Sequence, residues 1–235
     1  MTIRAGVVVF PGSNCEHDVV EAVTALGGEA DLIWHGDRSV GPVDMLVLPG
    51  GFAHGDYLRT GALARFSPIM EAVGRFADEG GPVVGICNGF QILTEAGLLP
   101  GVLQKNRGLK FLCQTVELQV TSTASVLTNR VELGTVLRIP INHFEGSYLC
   151  DSRTLAELRD QGRIVLRYAD NPNGSLDDIA GITNKAGNVV GLMPHPERAY
   201  TALLGSADGA VLLRCLLAAD RVALPSCARW VSAPH

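Results

Sequence analysis

The segment Val83-Val84-Gly85-Ile86-Cys87-Asn88-Gly89-Phe90-Gln91-Ile92-Leu93 constrains this 235-residue chain more than any other. A short β-branched apolar run stops at a cysteine, and a helical apolar pattern starts with no turn residues between. A strand apolar on both faces belongs in a parallel sheet covered by helices on both sides. The surrounding chain repeats that grammar. Ile3 to Phe10 is a Val-rich run ending in Pro11-Gly12, and Val19, Val20, Val23 and Leu26 then recur on one helical face before Gly27-Gly28. Ser13 with Glu16 three residues later predicts a capping box for that helix. Ala30 to Trp34, Met45 to Leu48 and Pro82 to Ile86 read as further strands, and Thr60 to Glu79 as a helix split or kinked at Pro68.

The middle of the chain changes character. Thr115 to Val120 alternates polar and apolar residues, and Val131 to Ile141 holds more strand-like pieces. This pattern predicts a smaller antiparallel section laid beside the main sheet. Strands return at Ile164 to Tyr168, Ile179 to Thr183 and Val189 to Met193, followed by a last amphipathic helix from Ala207 to Ala219. Trp34 and that helix, with Val211, Leu212 and Leu216 on one side, are expected in the core. Alternating strands and helices imply right-handed crossovers and an open, mostly parallel α/β sheet. With no linker or repeat, residues 1–235 read as one domain with the tail after about 220 loosely held.

Composition excludes several classes of function. Charged residues are 18% of the chain and the formal net charge is −5 with no like-charge block, so the basic stripe of a nucleic-acid binder is missing. No apolar run reaches the roughly 18 residues of a membrane span, and the opening residues lack a signal-peptide profile. The six cysteines include no Cys-x-x-Cys pair and no metal-like spacing with histidine. A cytoplasmic chain with reduced thiols and no metal is the expectation.

Gly85 and Gly89 flank Cys87 at minus two and plus two, the spacing of a nucleophile elbow. So sharp a bend crowds both positions, and it aims the sulfur at a helix N-terminus whose unpaired amides favour thiolate. A thiolate attacking a carbonyl needs a proton shuttle and an orienting group. Met193-Pro194-His195-Pro196-Glu197-Arg198 offers both on a stiff, extended backbone, with Glu197 placed to fold back on His195. His143-Phe144-Glu145 imitates the spacing and is the rival shuttle, ranked second because it falls in the antiparallel section. His17 and His54 are assigned to surface or partner-facing positions. Leu48-Pro49-Gly50-Gly51 ends another strand, and backbone amides there could join the Asn88 amide in cradling an oxyanion.

The residues 85–91 and 194–197 together resemble a class I, triad-type glutamine amidotransferase, a flavodoxin-like architecture. Phe10 to Asp18, Gly51 to Arg59 and Met193 to Arg198 are similar to the glutaminase subunits of phosphoribosylformylglycinamidine synthases, over about residues 3–217. The resemblance implies Cys87, His195 and Glu197 as the triad and Gly51 and Asn88 as the oxyanion hole. It implies Gln91 as a substrate contact, and it puts Asn142 and His143 in the substrate-binding set. It implies no cofactor in this chain, ATP and Mg on a separate synthetase subunit, and a small third subunit. Two segments depart from the pattern. Asn142 and Phe144 stand where Ala and Gly are expected, and Ala53-His54 where Ser-Tyr is expected. Three other readings compete. An amidotransferase of another synthetase would lack the opening motif. A protease- or chaperone-like relative usually has His after the nucleophile and an acid near the first strand, whereas this chain has Asn88 and no acid in Ile3 to Phe10. A non-catalytic regulatory or binding subunit would have no need of an intact Cys-His-Glu set.

Overall fold

The computed structural model describes residues 2–219; the expected loose tail after about 220 lies outside the described residues, as does Cys227. Strands β1 (Arg4–Val9), β2 (Glu29–Trp34), β3 (Met45–Leu48) and β4 (Val83–Ile86) alternate with helices α1 (Glu16–Ala25) and α2 (Ile69–Asp78). Helix α3 (Asn88–Glu95) follows β4 with Cys87 alone between them. Then come β5 (Val102–Gln104), β6 (Leu112–Val120), β7 (Val136–His143), β8 (Ser147–Leu149) and helix α4 (Ser152–Asp160). Strands β9 (Ile164–Tyr168), β10 (Ile179–Thr183) and β11 (Val189–Leu192) precede the last helix, α5 (Gly209–Leu217).

Nine strands form one sheet in the order β2-β1-β3-β4-β11-β10-β9-β6-β7, and β5 pairs with β8 apart from it. The ladders from β2 to β11 are parallel and the rest antiparallel, so β10 and β6 run against the other seven strands. The antiparallel part is thus a continuation of the main sheet and not a section beside it. β9 offers an edge whose backbone groups need partners; β6 supplies them, and β7 in turn pairs with β6. The sheet then curls: the His195 amide donates to the Pro140 carbonyl at 2.8 Å, which brings the end of β7 back over β11.

Glycines set how closely α3 lies on the sheet. A Cβ on Gly89 would stand 1.9 Å from the Leu48 carbonyl oxygen on β3, and one on Gly85 would stand 2.6 Å from Gly89 and Leu93 of α3. The crowding at Gly85 therefore comes from the following helix, not from a neighbouring strand. A Cβ on Gly191 would meet the Phe90 ring at 2.0 Å, so its absence is what seats Phe90 against β11. Phe90 is buried and stacks on Tyr148 with centroids 6.0 Å apart. Burying such a ring contributes about 1.5–3 kcal/mol.

Several local expectations change. Of the two readings of Thr60 to Glu79, the split at Pro68 holds, although the first piece is shorter than a helix: residues 64–66 make a single 3-10 turn, Ser67 is extended, and α2 starts after Pro68. A proline at a helix start loses nothing by lacking an N–H, so Pro68 opens the helix and does not kink it. The Ser13 capping box does not form. Cys15 is the N-cap of α1 without a side-chain cap, and the Ser13 hydroxyl accepts the Phe10 amide at 3.0 Å, tightening the turn after β1. Trp34 is 51% exposed because β2 is an edge strand, and Val211 faces outward while Leu212 and Leu216 are buried. Helix α4 was not anticipated: Leu158 is its one buried residue, so its apolar signal is weak, although Asp151 caps it by accepting the Thr154 amide at 2.8 Å. Among the described residues no helix is long and apolar enough to cross a membrane.

Candidate active site

The carboxyl ends of β1, β3, β4 and β11 lie on one edge of the sheet, where open α/β folds bind ligands. There a cleft of about 480 Å³ is lined by Cys15, Gly51, Cys87, Gln91, His143 and His195, among others. Cys87 has φ 50° and ψ −104°, a backbone conformation that costs a non-glycine residue of order 1–3 kcal/mol. Strand β4 and helix α3 hold it there through Gly85 and Gly89, as the elbow reading requires. The thiol lies 3.7 Å from the Asn142 carbonyl oxygen, at the end of β7.

His195 follows β11 and is buried, and its Nδ1 is 2.6 Å from Glu197 Oε1. Its Nε2 has no hydrogen-bond partner among the described residues. Burial alone would lower the imidazole pKa, but the Glu197 carboxylate and Cys87 outweigh it and raise the value well above the ordinary range. The room for this ring comes from Gly50. A Cβ at that position would stand 2.7 Å from His195 Cε1 and 2.9 Å from Cys15 Sγ. The expectation from sequence was that Gly50 and Gly51 expose amides; Gly50 instead vacates the seat of the imidazole. Gly51 has φ 147°, and a Cβ there would meet Ser13 Cα at 2.7 Å, so it docks the loop after β1 against the loop after β3. Its amide and that of Asn88, which as the first residue of α3 has no partner within the helix, both belong to this edge.

The rival shuttle is brought into the same cleft, because β7 runs in the direction of β11 and its carboxyl end reaches the same edge. Among the described residues His143 has no carboxylate partner. Its Nδ1 contacts Asn106 Oδ1 at 3.1 Å, and burial, with His195 nearby, pushes its pKa down to about 4. The Glu145 backbone carbonyl accepts from Gln91 Nε2, and among the described residues the His-x-Glu spacing at 143–145 yields no ion pair like that at 195–197. Gln91 Oε1 accepts from Asn88 Nδ2 at 2.9 Å, and Asn88 Oδ1 accepts the Ala53 amide at 3.0 Å. The Asn88 side chain thus ties the loop after β3 to α3. Asn142 lines the cleft.

Several residues of the site lie in the motif segments but receive no chemical role from the sequence. Asp56 lines the cleft beside Glu145, and burial and that neighbouring carboxylate push its pKa up to about 6. Cys15, Arg198 and Asp18 form a chain behind His195: Arg198 Nη2 is 3.2 Å from Cys15 Sγ, and its Nε donates to Asp18 at 2.9 Å. Cys15, His195 and Glu197 are a cluster with metal-ligand chemistry that linear spacing did not suggest, their ligand atoms all within 4.8 Å of one another. Cys15 carried a signal, its place in the Phe10 to Asp18 motif, but its neighbours at 195–198 are visible only in the fold. His54, expected at a surface or partner-facing position, is half-buried and faces His35, and both rings reach the Ser67 hydroxyl.

Residues 2–208 match the family model described as a CobB/CobQ-like glutamine amidotransferase domain. A protein of Rubrobacter xylanophilus named phosphoribosylformylglycinamidine synthase subunit PurQ is 52% identical over 220 residues, covering 94% of this chain and all of the relative. One of the same name from Lacticaseibacillus paracasei is 54% identical, covering 92% and 95%. Among solved structures, a chain of PurLQS from Thermotoga maritima superposes with a TM-score of 0.86 at 42% identity, covering 93% of this chain and 99% of that one. A putative GMP synthase protein from Thermoplasma acidophilum, at 17% identity and a TM-score of 0.63, shares the fold over 93% of this chain and 94% of that one.

Proposed function

The chain belongs to the CobB/CobQ-like glutamine amidotransferase family, and from that premise we propose how it works as the glutaminase subunit of phosphoribosylformylglycinamidine synthase. It hydrolyses glutamine and delivers ammonia to a synthetase subunit that converts formylglycinamide ribonucleotide to formylglycinamidine ribonucleotide in purine biosynthesis. The relatives named PurQ, matched over nearly their whole length, support this reading, and the Thermotoga structure supports assembly with a synthetase and a small third subunit. ATP and Mg are used on the synthetase subunit, and the complex works in the cytoplasm.

Cys87 attacks the side-chain amide carbon of glutamine, and the Gly51 and Asn88 amides receive the developing oxyanion. His195 takes the thiol proton and gives it to the departing nitrogen, which leaves as ammonia. The thioester on Cys87 is then opened by a water whose proton His195 accepts, and glutamate leaves with the thiol restored. Glu197 keeps the Nδ1 proton facing it and supports positive charge on the ring. Gln91, Asn142 and His143 border the bound amino acid. His143 stays neutral near pH 7, since its pKa is down at about 4, and acts as a hydrogen-bonding wall without shuttling protons.

One observation carries the reading: a buried His195–Glu197 pair at 2.6 Å beside a cysteine held at positive φ between strand and helix. The test is Cys87→Ala in the reconstituted complex. Glutamine-dependent synthesis should fall to background while synthesis with free ammonia persists. Loss of both activities, or survival of both, defeats the division of labour.

A further inference from the structure

We propose that Cys15, His195 and Glu197 form a binding site for a thiophilic divalent cation such as zinc, whose occupation switches the glutaminase off. The thiol, imidazole and carboxylate come from α1's N-cap and the turn after β11, and their ligand atoms all lie within 4.8 Å of one another. Sulfur, nitrogen and oxygen are the donor set of tetrahedral zinc, and these atoms need only draw together onto the ion. The Glu197 side chain is 0% exposed, yet its Oε2 has no hydrogen-bond partner among the described residues. It belongs to the carboxylate whose other oxygen, Oε1, is engaged by His195. Cys15 sits at the N-terminus of a ten-residue helix, with Arg198 Nη2 and Asn14 Oδ1 each 3.2 Å from its sulfur. Arg198 does not leave an uncompensated positive charge beside the cation, because Asp18 accepts its Nε at 2.9 Å.

Access comes through the cleft, which both Cys15 and His195 line, and water can supply the fourth ligand. The edge of a zinc tetrahedron is about 3.3 Å, so the 2.6 Å His195–Glu197 contact opens slightly as Oε2 turns to the metal. Binding releases the Cys15 thiol proton, and the metal takes Nδ1 as the ring's own proton moves from Nδ1 to Nε2. The ring then carries its proton on Nε2 and has no lone pair facing Cys87, so it cannot serve as base. The inhibitory consequence rests on the glutaminase reading, whereas the binding itself does not.

The experiment titrates zinc into the assembled complex and follows glutamate release, each variant scored against its own metal-free rate. The wild-type complex should be inhibited and recover on chelation. Cys15→Ser should need at least about tenfold more zinc, the scale on which altered metal surroundings change affinity. Equal sensitivity would overturn the proposal, since the cation would then sit on Cys87 and His195. A second measurement does not depend on turnover. Cadmium is added to complexes carrying Cys87→Ser or Cys15→Ser with Cys87→Ser, and thiolate-to-cadmium ultraviolet absorption is compared. The single variant should show one more bound thiolate than the double; identical spectra would overturn the proposal. Absent glutamate release from untreated wild type would instead defeat the glutaminase reading and leave the cadmium result to stand.

Discussion

Gly50→Ala tests the claim that the site depends on an absent side chain. The added methyl carbon would stand 2.7 Å from His195 Cε1 and 2.9 Å from Cys15 Sγ. The first contact is about 0.7 Å short of ordinary van der Waals distance. The backbone at Gly50 is not in the left-handed region, so the strain falls on these neighbours and not on the mutated residue. His195 cannot give way freely: Glu197 holds Nδ1 at 2.6 Å and the Pro140 carbonyl holds its amide at 2.8 Å. Relief therefore comes from rotating or shifting the imidazole by some tenths of an ångström. Overpacking of this kind costs about 1–3 kcal/mol of stability, which a fold of this size tolerates. Misplacing a catalytic group by about 1 Å costs on the order of 100-fold in rate. The assay is glutamate release by the reconstituted complex, with ammonia-dependent synthesis as the internal control and circular dichroism as the check on folding. The expected result is a kcat for glutamine lower by about 30- to 100-fold, KM changed little, and the ammonia reaction intact. A folded Gly50→Ala complex within about twofold of wild type would refute the reasoning, because the imidazole would then have slack that the packing denies it.

Further outcomes follow from the same geometry. Glu197→Gln should lower the glutamine-dependent kcat by about 10³–10⁴-fold. The carboxylate helps hold the imidazole pKa high, and the ring must be neutral to take a proton, so the acid limb of residual activity should move to lower pH; an unshifted limb would argue that Glu197 only packs. His143, down at about 4 in the fold against about 6.5 when unfolded, lets the unfolded chain bind more protons between those values. Native stability should therefore fall with pH from about 6.5 to about 4, by roughly 3 kcal/mol through this group; denaturant titrations at both ends of that window, with and without His143→Gln, should show the slope flatten in the variant. Asp56, up at about 6, works in the opposite sense between about 3.8 and 6, and Asp56→Asn should steepen the fall on acidification. The buried Asn188 amide donates to the Ala77 and Gly81 carbonyls at 2.8 and 2.9 Å, so Asn188→Ala should cost about 1–3 kcal/mol in denaturant unfolding.

Some of this was written into short stretches of chain. A β-branched run meeting a helical pattern at Cys87, with glycines two residues to either side, specifies its own geometry because strand, bend and helix are each set by local sterics. Pro194 and Pro196 likewise stiffen their own segment and hold Glu197 near His195. What was misread locally was decided by partners far along the chain. Ser13 and Glu16 match a capping box, yet Ser13 closes the turn after β1 while Cys15 becomes the N-cap. Trp34 reads as core by its chemistry and is half exposed because no strand among the described residues pairs with the outer edge of β2. The choice between His143 and His195 needed the fold, for both enter the cleft once the sheet curls and only one finds a carboxylate. Gly50 has no local signature separating a turn glycine from one that vacates space for a ring 145 residues away. Cys15 looked like a motif residue without an evident chemical role, and becomes a neighbour of His195 and Arg198 only when the loop after β1 docks on the turn after β11. Periodicity and backbone preference act within a few residues and can be read in order. Contact, burial and charge coupling act through space, between segments whose sequences hold no record of one another.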